Sequence, residues 1–204
     1  METDTSVRPS RSERLDLWTV IVVGAVAALF TIGFAVVRLA GILPNSGVEV
    51  LVPFVDTPAS LPIGPSGTDV DIAVDEGILT VSGLPGIVVM FLTLAVIVDA
   101  VMTLTIIGCL GIVCVNLMKG QAFSRTNTRL IITSAIVLVA GTAFGGILQT
   151  MGANGALAAA SGGSFDGVVA SGSFAPYFVA TGLAAVSVAF KAGERMQRET
   201  AGLV

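Results

Sequence analysis

The sequence predicts an all-α transmembrane fold, a four-helix membrane bundle whose N and C termini are cytoplasmic and which carries a small β-rich extracytoplasmic cap. Three observations lead there. Of the 204 residues, 54% are apolar and only 12% charged, whereas a soluble domain uses about 25% charged residues to cover its surface. The apolar residues gather in four long runs, and a mean hydropathy of +0.94 leaves too little polar surface for water on every side. Of the 10 lysines and arginines, all but Arg38 fall in segments that four crossings bring to one side, as the positive-inside rule requires.

The elements follow in chain order. Residues 1–16 form a polar cytoplasmic arm in which Arg8, Arg11 and Arg14 sit among Glu2, Asp4, Glu13 and Asp16. The first apolar run, 17–39, reaches roughly 35 Å as a helix, enough for a hydrocarbon core of about 30 Å. It is longer than a signal-peptide core and ends in Val36-Val37-Arg38-Leu39, so it reads as a retained anchor. Trp18 and Arg38 suit its two interfaces.

Residues 40–84 change character. They hold Pro44, Pro53, Pro58, Pro62 and Pro65 and the acids Glu49, Asp56, Asp69, Asp71, Asp75 and Glu76. Val48 to Val52 and Asp69 to Val74 alternate with period two, and Asp75-Glu76-Gly77 reads as a hairpin turn into a further strand, Ile78 to Val81. A structureless loop of this length is uncommon, which makes the segment the β-rich cap.

Residues 85–118 are too long for one untilted crossing and too short for two. The second crossing is therefore placed at 97–118, with 85–96 an apolar extension packed against the cap or lying along the interface. Residues 119–128 form a cytoplasmic loop in which Ser124 can cap a turn. The third crossing is 129–151. Residues 152–172, rich in Gly, Ala and Ser with Asp166 as their only charge, read as an outer loop in which Ala156 to Ala160 can form a short helix. The fourth crossing, 173–190, has Pro176 in its first turn, where a missing N–H costs little, and 191–204 is a cytoplasmic tail.

Several function classes are disfavoured. A net charge of −4 argues against a nucleic-acid partner. With no histidine, and with Cys109 and Cys114 five apart on one helix, neither a disulfide nor a metal site is expected. No phosphate-binding loop or nucleophile elbow is present. The expectation is a protein with no catalytic, cofactor or metal residues, and not an enzyme.

Three sets of residues are candidates for function. Asp99 is the only acid within an apolar run, and an intramembrane carboxylate pairs, snorkels or carries protons. The plainer reading puts it at the outer interface, reaching water or Arg38. Gly108, Gly111, Gly141, Gly145 and Gly182 suit close helix packing. Glu49, Asp56, Asp69, Asp71, Asp75 and Glu76 make the cap a candidate docking surface. The cytoplasmic arginines suit anionic phospholipids.

The segment Asn116-Leu117-Met118-Lys119-Gly120-Gln121-Ala122-Phe123-Ser124, with Asn127, resembles the intracellular turn of a bacterial four-helix membrane-protein family catalogued as domain of unknown function 2975. The ending from Phe190 through Glu194-Arg195 to Val204 is similar to that family's closing pattern. The resemblance implies a four-helix membrane fold and no catalytic residues. In size and topology the chain is also similar to the accessory subunits of actinobacterial respiratory supercomplexes built on cytochrome bc and cytochrome oxidase. The resulting expectation is a non-catalytic accessory or structural subunit in the bacterial plasma membrane, partnered by integral-membrane subunits and phospholipids. The alternative is a stand-alone small transporter, channel or sensor.

Overall fold

The computed structural model describes the backbone of residues 10–121, 123–164, 170 and 172–201, and their side chains apart from 55–57, 197, 198, 200 and 201. It is mostly helical. Helices α1 (Arg11–Ile42), α2 (Gly86–Met118), α3 (Arg125–Ser161) and α4 (Ala175–Ala201) are each long and apolar enough to cross a membrane. Between α1 and α2 lies an antiparallel pair, β1 (Val48–Leu61) and β2 (Val70–Val81).

Contacts divide the chain into two compact units, one of Met1–Ala35, Val98–Ala143 and Ser173–Val204, the other of Val36–Ile97 and Phe144–Gly172. In the first unit the side chains that leave solvent recur every three or four residues. On α1 they are Leu17, Ile21, Gly24, Ala28, Thr31 and Ala35; on α4 they are Pro176, Ala180, Leu183, Ser187, Phe190 and Glu194. This seven-residue repeat is the spacing of left-handed helix packing, and the small residues on it let backbones approach. A Cβ on Gly24 would touch Ile107, and one on Gly141 would crowd Met102. The opposite faces are apolar and open, with Phe30 75% and Phe178 77% exposed. Surfaces of that kind are stable against lipid rather than water.

In the second unit the core is built from Ile42, Val48, Val50, Val52, Leu84, Val88, Leu92, Ala153, Ala156 and Leu157. Val48, Val50 and Val52 are each 1% exposed, while Glu49 and Leu51 between them face outward. That is the period-two alternation of a strand with one face packed. The register pairs Val48 with Val81 and Leu61 with Val70, with an irregularity between Pro53 and Thr57.

Several boundaries differ from the sequence reading. Helix α1 starts at Arg11 rather than residue 17, because Ser10 and Glu13 form a reciprocal capping box: the Ser10 N–H donates to Glu13 Oε2 at 2.7 Å, and the Glu13 N–H to Ser10 Oγ at 3.3 Å. Residues 86–96, read from the sequence as an apolar extension, are helical and continuous with 97–118, and their Val88 and Leu92 pack in the core with Val48, Val50 and Val52. Asp75-Glu76-Gly77 is not a turn. It lies inside β2, with Glu76 opposite Pro53 and Gly77 opposite Val52. The chain reverses instead at 62–69, where Ser66 (φ 61°) and Gly67 (φ 79°) adopt left-handed backbone around a 3-10 turn, Pro65–Gly67.

The expected loop at 152–172 is helical as far as Ser161. Alanine favours a helix, and the burial of Ala153, Ala156 and Leu157 in the hairpin core repays the two glycines there. Asp166 lies outside the described residues. Helix α4 runs beyond residue 190, through Ala201.

Candidate functional site

The hairpin is held at its base by Asn45. Its left-handed backbone, φ 52°, is one that asparagine tolerates, and it aims the side-chain amide at the strand exit. Asn45 Nδ2 donates to the Leu84 carbonyl at 2.9 Å, and the Leu84 N–H donates to Asn45 Oδ1 at 2.8 Å. The Gly83 N–H adds a bond to the Asn45 carbonyl at 3.0 Å, and the Gly47 N–H one to Ser82 Oγ at 2.8 Å. Arg38 contributes from α1, its Nη1 donating to the Glu49 carbonyl at 3.5 Å.

The acids of the hairpin are spread over both faces of the sheet, Asp69, Asp71 and Asp75 on the β2 parity of Leu79 and Val81, and Glu49 and Glu76 on the other. Glu49, Asp69, Asp71, Asp75 and Glu76 are exposed, and Ser60 Oγ donates to Asp71 Oδ1 across the strands. The side chain of Asp56 lies outside the described residues. Among the acids stand exposed apolar residues, Leu51 opposite Ile78, the latter 70% exposed. No lysine or arginine occurs from residue 39 to residue 118, so the charges of the hairpin itself are all negative, while Arg38 of α1 brings a positive side chain to the Glu49 carbonyl. A small cavity of ≈ 80 Å³ at its foot is lined by Leu51, Pro53, Glu76, Gln149, Thr150 and Ala153.

Asp99 stands on the face of α2 that also carries Val88, Leu92, Ala95, Cys109 and Val113. Those five are buried and Asp99 is exposed. Among the described residues the ion pairs are Arg125 with Glu194 and Arg195 with Glu199; neither Asp99 nor Arg38 takes part.

The glycine candidates separate. Gly141 meets Met102, and Gly145 is half-buried on the same stripe of α3. Around Gly108, Gly111 and Gly182 no described atom lies within 4 Å of where a Cβ would be. Periodicity alone cannot tell a packed small face from a lipid-facing one. The glycines that do admit a neighbour include Gly152 against Leu92, Gly155 against Val88 and Gly193 against Phe123. The first two were hidden because their segment read as a loop.

A polar lock joins α2 to α3 in the first unit. Asn127 is 0% exposed. Its Oδ1 accepts from Asn116 Nδ2 at 2.7 Å, its Nδ2 donates to the Gln121 carbonyl at 2.8 Å, and its N–H donates to the capping Ser124 Oγ at 3.2 Å. Beside it the Phe123 ring packs on Phe190 with centroids 5.6 Å apart, and Arg125 Nε meets Glu194 Oε1 at 3.1 Å. The α2–α3 turn and the end of α4, far apart in sequence, are thus in contact. Cys109 and Cys114 are buried thiols without a bond to each other. An open apolar groove of ≈ 500 Å³ runs between α3 and α4, lined by residues that include Ala135, Val139, Tyr177 and Ala184. No protein-family profile, curated protein or solved structure matches the chain.

Proposed function

We infer that the protein is a non-catalytic accessory subunit of a larger complex in the bacterial plasma membrane, of which the respiratory cytochrome bc-oxidase supercomplex is the leading candidate. In this reading both termini are cytoplasmic, the hairpin is an extracytoplasmic cap, and the chain is a member of the four-helix family its turn and tail resemble. The observation that carries the reading is the hairpin itself. Its acids are presented on a base fastened by Asn45 and by the buried Val48, Val50 and Val52, with no positive side chain from residue 39 to 118. An acidic hairpin with no positive side chain of its own suits steering and seating of a basic partner more than chemistry. The use of Asn127, Ser134 and Ser187 in hydrogen bonds to backbone or to Asn116 supports a structural role for the buried polar groups.

The test is purification in mild detergent at native expression, with co-purifying chains identified by mass spectrometry and haem followed by visible absorbance. Stoichiometric recovery with haem-bearing subunits is expected, weakened by added salt. Recovery of the chain alone overturns the reading.

A second reading rests on Asp99, an exposed carboxylate within the apolar helix α2. As a transporter, channel or sensor, the protein would use that carboxylate within the membrane. Asp99→Asn then abolishes flux in vesicles, whereas the accessory reading expects complex recovery to be unchanged.

A further inference from the structure

The two edges of the hairpin are not equivalent. Strand β1 carries Pro53 and Pro58 and a register irregularity between Pro53 and Thr57. Both features interrupt an edge, since proline has no N–H to offer and an irregular stretch breaks the ladder. Leu51 and Pro53 of β1 and Glu76 of β2 line the small cavity together with Gln149, Thr150 and Ala153 of α3, so that cavity does not distinguish the two strands. Strand β2 has twelve residues, none of them proline. Its inward side chains Leu79 and Val81 are only half-buried, against 1% exposure for Val48 and Val50 opposite them. The sheet has two strands, and among the described residues the backbone of β2 pairs only with β1. The outer edge of β2 therefore carries N–H and C=O groups with no strand partner among the described residues, over roughly 40 Å at strand spacing.

What such an edge accepts is decided by charge. Asp69, Asp71, Asp75 and Glu76 are all exposed along or beside β2, and a second copy of this hairpin would set acid against acid, which disfavours self-pairing. We propose that the free edge of β2 takes up an extended segment of a partner protein as a third strand, the segment bearing lysine or arginine at alternate positions. Main-chain bonds supply affinity and the acids select the partner, as in other cases of strand addition. The proposal rests on the docking reading above and specifies its geometry.

The test uses the full chain in phosphatidylcholine nanodiscs. The probes are two labelled twelve-residue peptides of alternating Lys and Thr, identical except that one is N-methylated at every amide, so that neither of its edges offers an N–H. Both carry the same charge, but the methylated one cannot complete a ladder. The expected result is that methylation weakens binding at least about tenfold, and that the unmodified peptide slows hydrogen exchange at alternate amides of β2. Asp75→Asn combined with Glu76→Gln should weaken binding and flatten its salt dependence. Equal binding of the two peptides, lost in that variant, overturns strand addition while leaving an acidic docking surface. Binding of neither peptide also overturns it, and co-purification then judges the docking reading separately.

Discussion

Asn45 and Leu84 are joined by two hydrogen bonds, side-chain amide to main chain in both directions, at 2.9 and 2.8 Å. The pair closes the hairpin where the strands meet the helices, and Leu84 is itself buried. Asn45→Ala leaves a buried N–H and C=O unpartnered and sets alanine in left-handed backbone. The expected loss is about 2–4 kcal/mol, read as a lower thermal midpoint in detergent together with faster amide exchange at Gly83 and Leu84. Asn45→Asp keeps the acceptor alone and should fall between.

The lock between Asn116 and Asn127 makes a parallel prediction for the first unit. Either Asn→Ala substitution removes a buried partner, and the double variant should cost less than the sum, with a coupling of about 1 kcal/mol. Denaturant titration of the four proteins measures it. Strict additivity would show that the 2.7 Å bond contributes nothing of its own.

Glycines of similar sequence context should differ sharply. At residue 155 a new Cβ would lie 2.6 Å from Val88 Cγ2, on a β-branched side chain that has little room to turn. Gly155→Ala is expected to destabilise by about 1–3 kcal/mol. Gly108→Ala meets open space, and loses only the helix penalty of glycine, so it should be neutral or stabilising by up to about 1 kcal/mol. Thermal unfolding of the two variants separates them.

Sidedness is checked by thiol labelling. Cys109 and Cys114 are buried and give a low background. Thr80→Cys in β2 should react with an impermeant maleimide in intact cells, and Lys119→Cys at the α2–α3 turn only after permeabilisation. The reverse pattern would overturn cytoplasmic termini.

The membrane character of the chain was legible because hydropathy is a local property. A run from Leu17 to Leu39 is apolar whatever surrounds it, and four such runs yield four helices long enough to cross. The strand at Val48 to Val52 was legible for the same reason, its alternation being contained in five residues. By itself the sequence also determined that the hairpin region is acidic and without a positive side chain.

Tertiary packing decided the rest. Asp75-Glu76-Gly77 has the composition of a turn, yet pairing with Val52 and Pro53 keeps it extended, because cross-strand bonds outweigh a local preference. Residues 152–161 resemble a flexible loop, yet the burial of Ala156 and Leu157 against the hairpin holds them helical. Which glycines face a neighbour, and that Phe123 of the α2–α3 turn meets Phe190 of α4, depend on residues remote in sequence. Local composition sets what a segment can do, and the apolar area and hydrogen bonds made available by distant segments select which of those options it takes.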